Sequence, residues 1–290
     1  MKFWPGPHGR CKCKFWCRHR RRLGYLLMSR WEFITIPRMD AYKENFARTL
    51  AETGALFFDD GLTLKDGRPT PYFVNMAMFK TGRLSLEIGS FFASMMVSAD
   101  LTGRVDIILG PSYKGSALAS ATAIALWNDH RIELPFDYDR KEAKTHGEAS
   151  GGKRMFVNNT FFDGCRIFVV DDVATSMATK YELLEKIKDE ARARGMDVTV
   201  AGIGIGVDRE QTTAVYDQQR RVILGGKGKD AIGDFEAETG VQVHRVARIR
   251  EVVEYLYREA VPVQIKGRLQ PIDRWTMLRF RDYIETYGVH

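Results

Sequence analysis

Cysteine is almost missing from the body of this chain. Of four cysteines, Cys11, Cys13 and Cys17 crowd the start, and only Cys165 lies beyond residue 38. A body with one thiol cannot close an internal disulfide, so its stability must come from apolar packing, as suits a reducing cytoplasm. Long apolar runs are missing too. Nothing approaches the roughly 20 residues that span a bilayer, and Arg and Lys interrupt the first 38 residues too often for a secretory signal. Acidic residues are scarce at the start alone. Residues 1–38 hold ten Lys/Arg against the single acid Glu32, whereas 39–290 hold 34 basic and 36 acidic residues. The net charge of +7 therefore belongs to the N-terminal segment, and the near-neutral body offers no electrostatic footprint for nucleic acid.

Residues 1–38 read as a disordered basic extension, or as residues upstream of a start at Met28 or Met39. Cys11, Cys13, Cys17 and His19 do not match the paired-ligand spacing of zinc sites. A basic arm touching RNA or membrane is a weaker reading of the same charge.

From Asp40 the pattern becomes regular. Phe46, Leu50, Thr53 and Phe57 recur at helical spacing, which predicts a helix over 40–53 stopped by Gly54. Gly67, Pro69 and Pro71 mark 63–72 as a turn-rich stretch at the edge of the fold. A second helix is expected over 84–99. Beyond it, apolar or β-branched runs at 105–109, 132–136, 166–170, 198–207 and 241–246 alternate with helical segments at 116–128, 179–194 and, weakly, 211–221. A last helix is expected over 272–287. This alternation predicts an α/β domain with a mostly parallel central sheet flanked by helices. Ligands of such sheets bind beyond the carboxyl ends of the strands, so chemistry should follow each strand.

Three such segments stand out. Gly110-Pro111-Ser112-Tyr113-Lys114-Gly115 sets two glycines around a lysine ahead of a helix, a backbone able to cradle an anion, or else a tight turn with a solvated lysine. It lacks Walker A spacing. Asp171-Asp172-Val173-Ala174-Thr175-Ser176-Met177-Ala178-Thr179 offers two carboxylates for sugar hydroxyls or a hydrated cation, then hydroxyls and amides for a phosphate. A helix cap and a Walker B strand are the competing readings. Arg140, Lys141, Lys144 and His146, followed by small residues through Gly152, suit a segment that closes over a polyanion, although a charged surface loop has the same composition. The Gly202, Gly204 and Gly206 run is GxGxG within an apolar strand, so close packing explains it better than a dinucleotide.

Taken together these segments resemble the orotate phosphoribosyltransferases, of the type I phosphoribosyltransferase fold. Asp171 to Thr179 is similar to the superfamily's motif for phosphoribosyl pyrophosphate (PRPP), and Lys141 to Glu148 to the mobile catalytic loop of the orotate enzymes. Gly110 to Gly115 resembles their pyrophosphate loop. Leu64-Lys65-Asp66-Gly67-Arg68 with Pro71-Tyr72-Phe73-Val74-Asn75 resembles their N-terminal hood over the base. The resemblance implies a hood over about 39–80, a core over about 84–260 and a closing helix at 272–287.

Position by position, the resemblance implies that Tyr113, Lys114, Arg140, Lys141, Lys144 and His146 contact the diphosphate of PRPP, with Lys144 and His146 supplied across a homodimer. Asp171 and Asp172 would hold the ribose hydroxyls, and Val173 through Thr179 the 5′-phosphate. Lys65, Phe73, Val74, Thr175 and Arg209 would surround orotate. Lys144, His146, Arg140 and Asp172 are the expected catalytic set, and Mg²⁺ the expected cofactor, held mainly by PRPP with Asp171 and Asp172 reaching it through water. The implied reaction makes orotidine 5′-monophosphate in a cytoplasmic enzyme without nucleic-acid or membrane partners. Met177 departs from the family, which usually has glycine there; if φ is positive at that position, a side chain should strain or reshape the loop. Val74 stands where an aromatic is common. A transferase for another base and a non-catalytic PRPP sensor are the rival functions.

Overall fold

The computed structural model describes residues 39–140, 155–174 and 177–289. The predicted extension 1–38, and any zinc or RNA role for it, lies outside them. So does Lys141 to Arg154.

Five short apolar runs make the central sheet. β3 (Ile107–Gly110), β4 (Phe136–Tyr138), β5 (Cys165–Ala174), β6 (Val198–Asp208) and β7 (Val243–Arg248) lie in the order β4-β3-β5-β6-β7, and every pair is parallel. Successive side chains on a strand face opposite ways. Ile107, Leu109, Ile167 and Val169 enter one apolar cluster, while Ile108, Phe168 and Val170 enter the other. α4 (Ala178–Arg194) and α5 (Ala231–Thr239) cover the first; α1 (Ala41–Glu52), α2 (Gly82–Ser98), α3 (Lys114–His130) and α6 (Ile249–Arg258) cover the second. With both faces buried, the strands read as continuous apolar runs.

The small sheet differs from expectation. The turn-rich stretch is a hairpin of β1 (Leu56–Thr63) and β2 (Pro69–Val74), extended by β8 (Pro262–Ile265) and β9 (Arg268–Pro271) in the order β2-β1-β8-β9. Pro69 and Pro71 are tolerated because β2 is an edge strand, where a missing N–H breaks no ladder. The closing helix α7 (Arg274–Tyr287) packs Phe280 and Tyr283 against Tyr72 of β2.

Two further expectations need correction. The fourth strand begins at Phe136 and not at 132, since Pro135 lends only its carbonyl, to the Ile108 N–H at 2.9 Å. Residues 211–221 are not helical. The Asp217 carboxylate accepts the Gln219 and Arg221 N–H groups, each at 2.9 Å, and Tyr216 bridges Val222, so side-chain bonding closes a turn where a helix would need those amides.

The glycines of β6 have the packing role expected of them. A Cβ at Gly204 would lie 2.9 Å from the Phe168 ring and 3.0 Å from Met95 Cε. Gly204→Ala should therefore overpack the core and lower stability by about 1–3 kcal/mol. Urea denaturation checks this; an unchanged midpoint would mean that the ring does not lie against the glycine.

Candidate functional site

The loop after β3 is fixed by close backbone approach. A Cβ at Gly110 would fall 1.8 Å from the Gly115 carbonyl oxygen, and one at Gly115 would fall 2.5 Å from Pro111. Only glycine fits either place. The folded loop delivers Lys114 to the first turn of α3, and Lys114 Nζ stands 2.9 Å from Asp172 Oδ2. The β3 and β5 turns therefore meet, as neighbouring parallel strands allow.

The two acids at the end of β5 are treated differently. Asp171 binds Lys180 Nζ, from the first turn of α4, at 2.6 Å; their side chains are only 13% and 6% exposed. Lys180 also reaches the Val173 carbonyl at 3.3 Å. Burial pushes the Asp171 carboxyl above its ordinary range, against the pull of Lys180. Asp172 is 20% exposed and its partner Lys114 is 65% exposed, so this second pair opens toward solvent. Thr175 and Ser176 lie outside the described residues. Ala178 and Thr179 are exposed at the start of α4.

Met177 has the positive φ on which its expectation turns. Its φ is 55° and it caps α4 in the left-handed region. Its side chain is buried with Phe156, Leu183 and Leu184 in the cluster beneath α4. The backbone cost of about 1–2 kcal/mol is thus offset by burial of similar or larger size.

Beside the β3 loop, the end of β4 supplies Asp139, buried and held by Lys186 Nζ of α4 at 2.6 Å. Its other oxygen accepts the Ser112 N–H at 2.6 Å, and its carbonyl accepts the Ser112 hydroxyl. Arg140 follows at once. Its backbone N–H donates to the Met155 carbonyl at 2.7 Å, and its buried Nε has no hydrogen-bond partner among the described residues. Lys141, Lys144 and His146 lie outside those residues.

On the other side, Arg209 follows β6. It is 7% exposed, lies 5.2 Å over the Tyr72 ring, and leaves Nε and Nη2 without hydrogen-bond partners among the described residues. A buried guanidinium with open donors is built for a planar acceptor such as a carboxylate. Its neighbour Asp208 is occupied by Arg245 at 2.7 Å. Lys65 is exposed in the hairpin turn. Phe73 lies against Phe57, with ring centroids 5.9 Å apart and planes tilted by 41°, while Val74 is buried in the core. By strand alternation Phe73 points away from the Tyr72 face, so it is not brought together with Arg209. Tyr113 is largely exposed at the rim of the β3 loop.

Lys180, Asp139 and Lys186 were not singled out from the sequence. A signal for Lys180 exists: it begins the buried stripe Lys180, Leu183, Leu184, Ile187 of α4, and a charge on an apolar stripe needs an internal partner.

Two outcomes follow. Lys180→Met strands Asp171 and should cost about 3–5 kcal/mol by urea denaturation, part of it recovered with Asp171→Asn added. A cost no greater than that of a surface lysine would break the pair's assignment. Met177→Gly relieves the backbone but empties a core site, so a net loss of about 1–3 kcal/mol is expected, and a gain in midpoint would reverse that balance.

No family model matches the chain. The orotate phosphoribosyltransferase of Pseudomonas syringae pv. tomato is 33% identical over 240 residues, spanning 82% of this chain and 97% of the relative. That of Photobacterium profundum is 37% identical over 219 residues, or 75% and 90% of the two chains. A solved orotate phosphoribosyltransferase from Francisella tularensis superposes with a TM-score of 0.62 at 24% identity, covering 84% of this chain and 98% of its own, a likeness of fold. With the parallel sheet, the two converging loops and relatives matched over nearly their whole length, this chain belongs to the orotate phosphoribosyltransferase family.

Proposed function

We propose that the chain transfers the phosphoribosyl group of PRPP to orotate, releasing pyrophosphate and forming orotidine 5′-monophosphate on the route to UMP. The observation that carries this reading is the meeting of Lys114 with Asp172 at 2.9 Å, which gathers a cation for a diphosphate and a carboxylate for ribose hydroxyls at adjacent strand ends. Arg209, buried with open donors, supplies the complement of a carboxylated base.

In this reading a ring nitrogen of orotate attacks the anomeric carbon as the diphosphate departs. Positive charge grows on the sugar and negative charge on the leaving group. Tyr113, Lys114, Arg140, Lys141, Lys144 and His146 face the diphosphate, and Lys144 and His146 reach it from the second copy of a homodimer. Ile124 and Trp127, each about half exposed on α3, offer apolar surface for such pairing. Asp172 orients the ribose hydroxyls, and Asp171, fixed by Lys180, holds its shape. Val173 to Thr179 receive the 5′-phosphate at the N-terminus of α4. Lys65, Thr175 and Arg209 belong to the base side, whereas Phe73, turned away from Arg209, and Val74, buried in the core, shape the hairpin beside it. Closure of the cationic segment excludes the water that would hydrolyse PRPP.

The donor set fits Mg²⁺ that arrives with its substrate. Asp171 is engaged by Lys180, so the more exposed Asp172 is the carboxylate placed to reach such an ion through water. When bound, the ion neutralises charge on the leaving diphosphate. No helix among the described residues is long and apolar enough to cross a membrane, and a single cysteine in the body suits a reducing cytoplasm.

The expected result is loss of orotate absorbance that depends on PRPP and Mg²⁺, with hypoxanthine, adenine and uracil inert. Lys144→Ala should lower the rate roughly a hundredfold. Turnover of another base would reassign the substrate. One observation favours a second reading, a PRPP-sensing regulator: the side chain of Met177 at the left-handed position of the phosphate loop. PRPP binding without turnover on any base would select it.

A further inference from the structure

The base side of the site is tied to residues 287–289, at the end of α7. Tyr287 is buried, and its carbonyl oxygen accepts both the N–H and the hydroxyl of Thr212, at 2.8 and 2.9 Å. Its own hydroxyl accepts the Gly225 N–H at 2.9 Å. One residue on, Gly288 bridges Gln211. After it, the Val289 N–H donates to the Glu210 carbonyl at 2.9 Å, and the Val289 carbonyl accepts from Arg250 Nη2 at 2.5 Å. The segment right after Arg209 is therefore laced to 287–289 residue by residue.

The hairpin turn that carries Lys65 is tied to the same place. Arg68 is 3% exposed and lies over the Tyr287 ring with its guanidinium carbon 5.4 Å from the centroid. Its Nη1 donates to the Thr212 carbonyl at 2.8 Å, while Nε and Nη2 grip Asp66 at 3.0 and 2.6 Å. The turn itself is closed by the Leu64 N–H to the Arg68 carbonyl at 2.9 Å. Lys65 and Arg209 come from elements far apart in the chain, and no hydrogen bond among the described residues joins them directly. Arg68, Thr212 and Tyr287 form the route between them.

We propose that Tyr287 and Arg68 are positioning residues for the base: a clamp that sets the spacing of Lys65 and Arg209 and so determines affinity for the carboxylated pyrimidine. The inference rests on the reading of orotate as substrate. A stacked cation and two bonds to one carbonyl make the clamp stiff, whereas the diphosphate and ribose side, built on Lys114 and Asp172, shares none of its contacts. Loosening the clamp should raise KM for orotate and spare PRPP.

The test is steady-state kinetics on the full chain with both substrates varied. Tyr287→Leu and Arg68→Met should each raise the KM for orotate about tenfold, with kcat and the KM for PRPP within about twofold; Tyr287→Phe, which keeps the ring, should stay near wild type. Thermal midpoints recorded beside the kinetics identify a variant that does not fold. In that event Thr212→Val, which removes one bond to the Tyr287 carbonyl, is read in the same way with a smaller rise expected. Equal rises in both KM values, or an unchanged KM for orotate in a folded variant, would overturn the clamp. Absence of orotate turnover in the wild-type chain would overturn the substrate reading instead, before any variant is compared.

Discussion

Two carboxylates on consecutive residues at the end of a buried strand repel each other and lose hydration together, and the site depends on how this chain separates them. Strand alternation sends Asp171 toward the α4 face and Asp172 toward the start of α3, each to a different lysine. The two ion pairs then differ in strength because they differ in exposure. Breaking the enclosed Lys180–Asp171 pair would leave a charge with neither water nor partner, at about 3–5 kcal/mol. The Lys114–Asp172 pair, with Lys114 mostly in solvent, is worth about 0–1 kcal/mol. One pair is a fixture of the fold. The other is weak enough for a ligand to part, and on the proposed reading that ligand is a sugar diphosphate.

Asp139 extends this arrangement to the third loop. It sits at the end of β4, beside β3, so its carboxylate can hold the Ser112 amide of one loop while Lys186 holds it from α4. The root of the cationic segment at Arg140 and the loop that presents Lys114 thus share a single buried anchor. Arg140 is thereby held in register with Lys114. The arrangement needs the strand order β4-β3-β5, since only neighbours in a parallel sheet bring successive strand ends within hydrogen-bonding reach.

What was legible in the sequence follows from the same physics. The central strands could be read because burial on both faces demands unbroken apolar runs, and the loops because strand ends must carry the chemistry. β8 and β9 were not, at four residues each and with β9 wholly exposed, too short to show a period. α6 could have been found from Ile249, Val252, Val253 and Leu256, a clean helical stripe. The turn at 217–221 misled because Gln and Arg favour helices while Asp217 binds the amides a helix would use. Lys180 and Asp139 escaped because an ion pair across 9 or 47 residues leaves no local periodicity. Such partners emerge only when the strand order is known.

Met177 shows the limit of reading a motif by its residue type. A glycine in the phosphate loop serves either the backbone angle or the space above it, and only the first constraint is visible here: φ is 55°, and the side chain turns down into the cluster with Phe156 and Leu184. A side chain directed inward leaves the solvent face of the turn free, so the left-handed bend that a glycine would permit can be held by a methionine whose burial offsets the strain. The substitution then exchanges conformational freedom for a packed anchor beneath the N-terminus of α4. By that argument the turn at Met177 is stiffer than a glycine turn would be, and the start of α4 is held from beneath by a buried side chain.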